Sequence, residues 1–256
     1  MIVNVLHGQT ETGVKIPFGD LFLVDGTMID TTIESGGVQQ LKDGLAQQTT
    51  INHGGLQVVG VGGVGALADH TIIEGGTQNV FATADHTTIW RGGTQDVFSL
   101  SVFGMMGGGT ANNTTIRGGT EIVENGGTAG NTTLHGGLLD LKDGALTSAS
   151  ITFEPGKKGT LQIDQPVTSN LTFKAPLINI SEGDKIDLTG LTFTKATTAT
   201  VTATVTGSTL LVDDHAGHTE SFNLITPKVL HFEVSMDNGT GTMLIGIHAH
   251  QPFPPF

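Results

Sequence analysis

The stretch TTIRGGTEIVENGGTAGN, residues 114–131, decides the fold. Inside it apolar and polar residues alternate with the period of two that marks a strand, and no helical i, i+3, i+4 stripe competes. Gly-Gly pairs at 118–119 and 126–127 separate the strands, at corners where positive φ or the absence of a Cβ is needed. The same frame returns at 31–48 as TTIESGGVQQLKDGLAQQ. Units of this kind start at Thr12, Thr31, Thr49, Thr71, Thr87, Thr114, Thr132 and Ile151 and run to Asn170. A repeat of about 20 residues made only of strands and turns predicts a solenoid. Each unit is then one coil of an all-β parallel β-helix of about eight coils, rising ~4.8 Å per coil into a rod of roughly 40 Å.

The pattern also says which side chains point inward. The fourth residue after each Gly-Gly is Leu41, Val59, Val80, Val97, Val123 or Leu141, which predicts one stacked column. Ile33, Ile51, Ile89, Ile116 and Leu134 predict a second. Gln39, Gln57, Gln78 and Gln95 share the inward parity two residues after Gly-Gly, followed by Glu121 and Leu139. Buried amides at one-coil spacing predict a ladder of side-chain hydrogen bonds. Paired threonines at 31–32, 49–50, 87–88, 114–115 and 132–133 form another aligned polar array, which suits strands. No coil buries enough apolar surface to stand alone, so stability must come from stacking.

From Leu171 the rhythm gives way to alternating strands such as TATVTATVTG and GTMLIGI, separated by Gly, Asn and Asp turns. The expected organisation is an N-terminal cap strand at 1–11, solenoid repeats at 12–170, a small β-rich domain or cap at 171–247 and a proline-rich tail at 248–256. Covering the last coil protects a sheet edge that otherwise invites uncontrolled pairing.

Composition excludes several functions. The net charge of −13 leaves no basic patch to replace phosphate counterions, so no nucleic acid partner is expected. Nothing approaches the ~20 apolar residues of a membrane helix, so the chain is not expected to be membrane-embedded. Cysteine is absent, which rules out disulfides and fits export without oxidative folding. The start, MIVNVLHGQTETG, lacks the basic and apolar regions of a signal peptide, so processing or another export signal is implied. No nucleophile elbow, phosphate loop or His-Glu-x-x-His motif occurs. Acidic residues such as Asp25, Asp43 and Asp143 fall at turns, and only 11 Lys and Arg are present, too few for a lyase-type basic cluster. The chain is therefore read as non-enzymatic, with no catalytic residues and no cofactor.

Histidine is the one metal-capable residue present in quantity. ADHT occurs twice, placing Asp69/His70 and Asp85/His86 at equivalent corners one coil apart, where two imidazoles ~5 Å apart can share a metal. A repeated solvent-facing turn is the preferred reading, and no metal site is assigned. DDHAGH (213–218) and HAH (248–250) carry no specific metal signature either. Asn-Thr-Thr sequons at 113–115 and 131–133 follow from the abundance of both residues.

The units TTIESGGVQQLKDGLAQQ, TTIWRGGTQDV and TTIRGGTEIVENGGTAGN resemble the strand–loop–strand repeats of bacterial autotransporter passengers, of the diffuse-adherence adhesin and self-associating antigen type. The resemblance covers residues 12–170. It implies a right-handed β-helix, exposure at the bacterial cell surface or outside the cell, adhesion or cell–cell aggregation, and O-linked sugar on repeat Ser and Thr. ISEGDKIDLTGLTF resembles the segment that closes such repeats before a Hint domain, whose initiating Cys is absent. No translocator barrel is expected after 171, where too few ~10-residue amphipathic strands follow.

One stretch breaks the repeat. VFATADHTT closes one coil, whereas VFSLSVFGMMGGGTANNTT closes the next with about ten extra residues at the same corner. Leu100, Val102, Phe103, Met105 and Met106 are the candidate self-association residues, as a hydrophobic knob whose soft Met side chains adapt to a partner. The competing reading folds this loop back to bury its own Phe and Met. The expected function is an extracellular structural or adhesive β-helix whose partner is itself, laterally or head to tail, with cell-surface glycans or a host surface as further partners. The alternative is a carbohydrate-binding or carbohydrate-cleaving β-helix, although Trp90 is the only Trp and Tyr is absent. Ice binding by the threonines is disfavoured, because neighbours in Thr-Thr point to opposite faces.

Overall fold

The computed structural model describes residues 1–62, 65–102, 105–167, 170–226 and 230–248, with only the backbone for 100–102, 105–107 and 248. The chain is a right-handed parallel β-helix of about 8 turns. Among the described residues there is no helix.

Each coil contributes three short strand segments. The first, which in the middle coils follows Gly-Gly, builds one sheet, in which every step from Ile2–Val5 through Thr77–Val80 and Thr120–Val123 to Lys185–Leu188 is parallel and in register. The other two segments lie on either side of a one-residue corner. In the early coils they are the two halves of a continuous strand, Thr27–Ile33 or Leu45–Asn52, bent at Asp30 and Gln48 with φ of 56° at each. Later they separate, as in Thr83–Asp85 and Thr88–Trp90 with His86 between them at φ 53°.

The inward columns form as the pattern predicts. Leu41, Val59, Val80, Val97, Val123 and Leu141 stack in register and are buried. Ile33, Ile51, Ile89, Ile116 and Leu134 form the second column, with Ile73 completing it. A third apolar column is made of Ala46, Ala68, Ala84, Ala111 and Ala129. Alanine there keeps the second segment close to the axis, so three walls close around a core one side chain deep.

The Gly-Gly corner divides its labour. Gly92 has φ +85°, a conformation that disfavours any side chain. Gly93 is needed for space: a Cβ there would lie 2.7 Å from the Ile73 carbonyl oxygen of the preceding coil. Coils separated by one strand spacing leave no room for it.

Unit starts from Thr31 to Ile151 fall in one register column. The first unit is displaced. Lys15 pairs with Thr32 and Ile16 with Ile33, so Val14, and not Thr12, takes the place of Thr31. Gly13, at φ 69°, turns the chain just after the Thr that the pattern picks out.

Both sheets run on past residue 170. Asn170–Ile178 pairs in parallel with Ile151–Phe153, and Lys185–Leu188 with Thr160–Ile163. On one sheet the pairing then becomes antiparallel, through Thr242–His248 and Leu230–Met236. On the other, Thr219–Ile225 adds in parallel to Asn170–Ile178, and antiparallel pairing follows through Ser208–Asp213 and Thr198–Ala203. A hairpin edge replaces the open parallel edge of a coil.

Candidate functional site

Function on a filled solenoid must lie on its outside, because the interior polar groups are buried and most of them bond to one another. Thr31 Oγ1, Thr49 Oγ1 and Glu121 Oε1 are buried without a hydrogen-bond partner. Gln57 donates through Nε2 to Gln39 Oε1 at 2.7 Å, Gln78 to Gln57 at 2.6 Å and Gln95 to Gln78 at 2.7 Å. The first Thr of each pair points inward to meet them. Thr87 and Thr114 donate to the carbonyl oxygens of Gln78 and Gln95, and Thr132 donates to Glu121 Oε2 at 3.2 Å. Burial pushes the Glu121 carboxyl up to about 8, against the hydroxyls of Thr132 and Thr114, which pull it down. This amide–hydroxyl wire is closed off from solvent along Gln39, Gln57, Gln78, Gln95 and Glu121, out of reach of a substrate.

Three outward features stand apart from the repeat. The first is the insertion. Ser99–Val102 and Met105–Gly108 form an antiparallel ribbon, with Leu100 opposite Gly107 and Val102 opposite Met105. Phe98 and Gly109 meet at its base, where the Gly109 N–H donates to the Phe98 carbonyl at 2.6 Å. The coil then resumes, with Thr110 in register with Thr83. Phe98, Gly109 and Thr110 thus follow the path of Phe81, Ala82 and Thr83 in the coil before, and the Phe81 and Phe98 rings stack with centroids 4.9 Å apart. Gly126 of the following coil makes room at the ribbon base, since a Cβ there would lie 2.8 Å from that of Ser99.

The second is the corner carrying the two ADHT copies. His70 and His86 both hold positive φ, 55° and 53°, which sends their side chains out in parallel one coil apart. The rings stack with centroids 4.7 Å apart and an interplanar angle of 11°. Asp69 Oδ1 lies 2.8 Å from His70 Nδ1 and 3.3 Å from His86 Nδ1. Partial burial works to raise the Asp69 carboxyl, but hydrogen bonds and charge from both histidines outweigh it and hold the group below its ordinary value. The corner continues as a polar ladder. Asn113 Nδ2 donates to Asp85 Oδ1, Asn131 Nδ2 to Asn113 Oδ1 and Ser150 Oγ to Asn131 Oδ1. Both sequon asparagines are therefore tied into the corner.

The third is a cleft of about 420 Å³ where the coil ending at Thr147 meets the strand carrying Phe173. Leu146, Phe173, Lys142, Lys174 and Glu220 line it. Glu220 is only 4% exposed, and burial pushes its carboxyl up to about 7. Beside the cleft, Lys142 Nζ lies 2.8 Å from both Asp140 and Asp164. Burial opposes the charged ammonium, but the two carboxylates more than offset it and raise its pKa.

Comparison with known proteins gives the fold. No protein-family profile and no curated sequence matches the chain. Among solved structures it is similar to the crystal structure of a TibC-catalysed hyper-glycosylated TibA fragment, residues 55–350. The two share 24% identity with a TM-score of 0.50, over 72% of this chain and 76% of that one. That likeness is one of β-helical architecture.

Of the predicted self-association residues, Leu100, Val102, Met105 and Met106 fall on the ribbon strands. Phe103 lies outside the described residues, as do the side chains of Leu100, Val102, Met105 and Met106. HAH at 248–250 also lies outside them, apart from the His248 backbone. DDHAGH closes on itself: Asp214 accepts from the backbone N–H groups of Ala216 and His218, and its Oδ2 lies 2.6 Å from His218 Nδ1. The cleft and Glu220 were missed by the sequence reading. Their signal was TESFNLI, where Glu220 shares the parity of Phe222 and Leu224 and is buried with them.

Proposed function

We propose that this chain is a non-enzymatic β-helix, outside the cell or on its surface, that acts by contact and joins copies of itself through the Ser99–Gly108 ribbon. The observation that carries this reading is the relation of the ribbon to the coil. The corner closes without it in the preceding turn, along Phe81, Ala82 and Thr83, and the added strands pair only with each other. An element that the solenoid does not need for its own pairing is available for another molecule. The apolar content of SLSVFGMMGG suits burial against a second copy better than exposure. The autotransporter-like repeats and the burial of the interior polar groups support adhesion over catalysis. The outward threonines, such as Thr50, Thr88, Thr115 and Thr133, are half-exposed and offer a hydroxyl row for sugar of the kind the TibA fragment carries.

The test compares the size of the full chain and of a variant lacking Ser99–Gly108 over a range of concentrations, together with clumping of cells displaying each. Growth of assemblies in the full chain and their loss in the deletion is expected. Strict monomers in both, with no clumping, would overturn the reading.

For carbohydrate binding, the cleft beside Phe173 and Glu220 is a candidate place. A glycan screen in which Glu220→Gln abolishes a hit would favour it.

A further inference from the structure

We infer that Asp69, His70 and His86 form a binding site for a borderline divalent transition-metal ion, Zn²⁺ foremost. The donor atoms of these three residues all lie within 4.8 Å of one another. In a tetrahedral zinc site, arms of about 2.0–2.1 Å place neighbouring donors roughly 3.3 Å apart. Asp69 Oδ1 and His86 Nδ1 already stand at 3.3 Å, and Asp69 Oδ1 and His70 Nδ1 at 2.8 Å. Asp85 Oδ1 lies 3.3 Å from His86 Nδ1, next to the three-residue cluster. It is held there by Asn113 Nδ2 at 2.9 Å and the His86 N–H at 3.0 Å.

The fold supplies most of the preorganisation. Parallel register pairs Asp69 with Asp85, and positive φ at both histidines fixes the corner from which the rings leave. Stacked rings carry their in-plane lone pairs side by side, so both reach one ion only after each ring turns about χ2. The side chains of His70 and His86 are 60% and 50% exposed, which leaves them free to turn. Coordination through Nδ1 leaves the ring hydrogen on Nε2, so a neutral imidazole can ligate without leaving the corner. Two imidazoles with a carboxylate suit zinc, and the nitrogen donors select against calcium and magnesium, which prefer all-oxygen shells. The ion would tie consecutive coils together at their outer edge, a role separate from that of the ribbon.

The experiment titrates ZnCl₂ into the full chain after chelator treatment, by calorimetry and by thermal melting, beside H70N, H86N and H70N/H86N. Asparagine is chosen because Asn113 holds the same corner conformation one coil on, at φ 52°. The wild type is expected to bind one more Zn²⁺ per chain than the double variant. Each single variant should weaken that site on the order of tenfold or more, and Zn²⁺ should raise the melting temperature of the wild type but not of the double variant. H218N, from the self-closed loop, should behave as wild type. Equal zinc stoichiometry and affinity in the wild type and the double variant would overturn the proposal, as would equal stabilisation by Ca²⁺. Long-range ¹H–¹⁵N spectra of the wild type need no variant: zinc must shift His70 and His86 Nδ1, and unmoved signals overturn the proposal.

Discussion

Gln78 donates its Nε2 hydrogen to Oε1 of Gln57 at 2.6 Å, with both side chains fully buried. The bond joins consecutive coils inside the core, where its alternative is an unsatisfied amide and not a hydrated one. Gln78 also accepts from Gln95 at 2.7 Å and from Thr87 at 3.4 Å. Gln78→Leu therefore removes several bonds at once and leaves partners stranded above and below. Phe22 below and Leu139 above occupy the same column, so an apolar side chain fits sterically. The loss should be electrostatic, about 2–4 kcal/mol for two buried groups left unpaired. A urea titration should show a lower midpoint with an unchanged slope.

Glu121 continues that column as an acid in place of an amide. Its carboxyl, at about 8 in the folded chain against an ordinary 4.5, binds a proton more tightly folded than unfolded. The contribution of this group to stability is complete below about pH 4.5 and is lost as pH rises through about 8. Within that window it should cost roughly 1.4 kcal/mol per pH unit. Glu121→Gln removes the titration and supplies an Nε2 donor for Gln95, repeating the bond Gln95 makes to Gln78. The variant should be more stable than wild type at pH 8, and the gap should close towards pH 5. Urea midpoints at the two pH values check this, and a gap that does not change with pH refutes it.

Most of this interior was legible because period-two alternation and Gly-Gly punctuation translate directly into parity. Val80, Val97 and Val123 are buried where counting from the glycines places them, and Gln57, Gln78 and Gln95 form their predicted ladder. The Ala46–Ala129 column was not read, because alanine barely raises a hydrophobic signal even when its smallness decides the coil cross-section. The Thr12 start was misplaced because local threonine chemistry outweighed the turn at Gly13. The two ADHT copies place Asp69/His70 and Asp85/His86 one coil apart, as the structure has them, but the extension of that corner through Asn113 and Asn131 to Ser150 needs register between coils, which no single unit states. Glu220 packs against elements far apart in the chain, and sequence spacing carries no record of that meeting.

Lys142 bridges Asp140 and Asp164 at 2.8 Å each, with Asp140 only 7% exposed. Lys142→Met keeps the aliphatic stem but leaves the two carboxylates facing each other. Burial and neighbouring acids already push Asp187 in this patch up to about 6. The variant should lose about 1–3 kcal/mol at pH 7, discounted from a fully buried pair because Lys142 is partly exposed. The loss should shrink as the pH falls to 4 and the carboxylates protonate. Melts across that range check it, and a loss as large at pH 4 as at pH 7 would mean that packing of the stem was the cause.

Removing Ser99–Gly108 leaves Phe98 joined to Gly109, and the resulting Phe98-Gly109-Thr110 matches Phe81-Ala82-Thr83 one coil earlier. The Gly109 N–H already reaches the Phe98 carbonyl at 2.6 Å, so the new bond closes a gap that is nearly shut. No parallel pairing is lost, because the ribbon strands pair with each other and the coil pairing resumes at Thr110. Shortening the connection also lowers the entropy lost in closing it, by less than about 1 kcal/mol at this length. The deletion should therefore melt within roughly 2–4 °C of the full chain, the shift that about 1 kcal/mol produces in a chain of this size. A fall well beyond that would mean that the ribbon folds back and buries its Phe and Met against the coils. It would then be a structural cover, and contact between copies would have to use another surface.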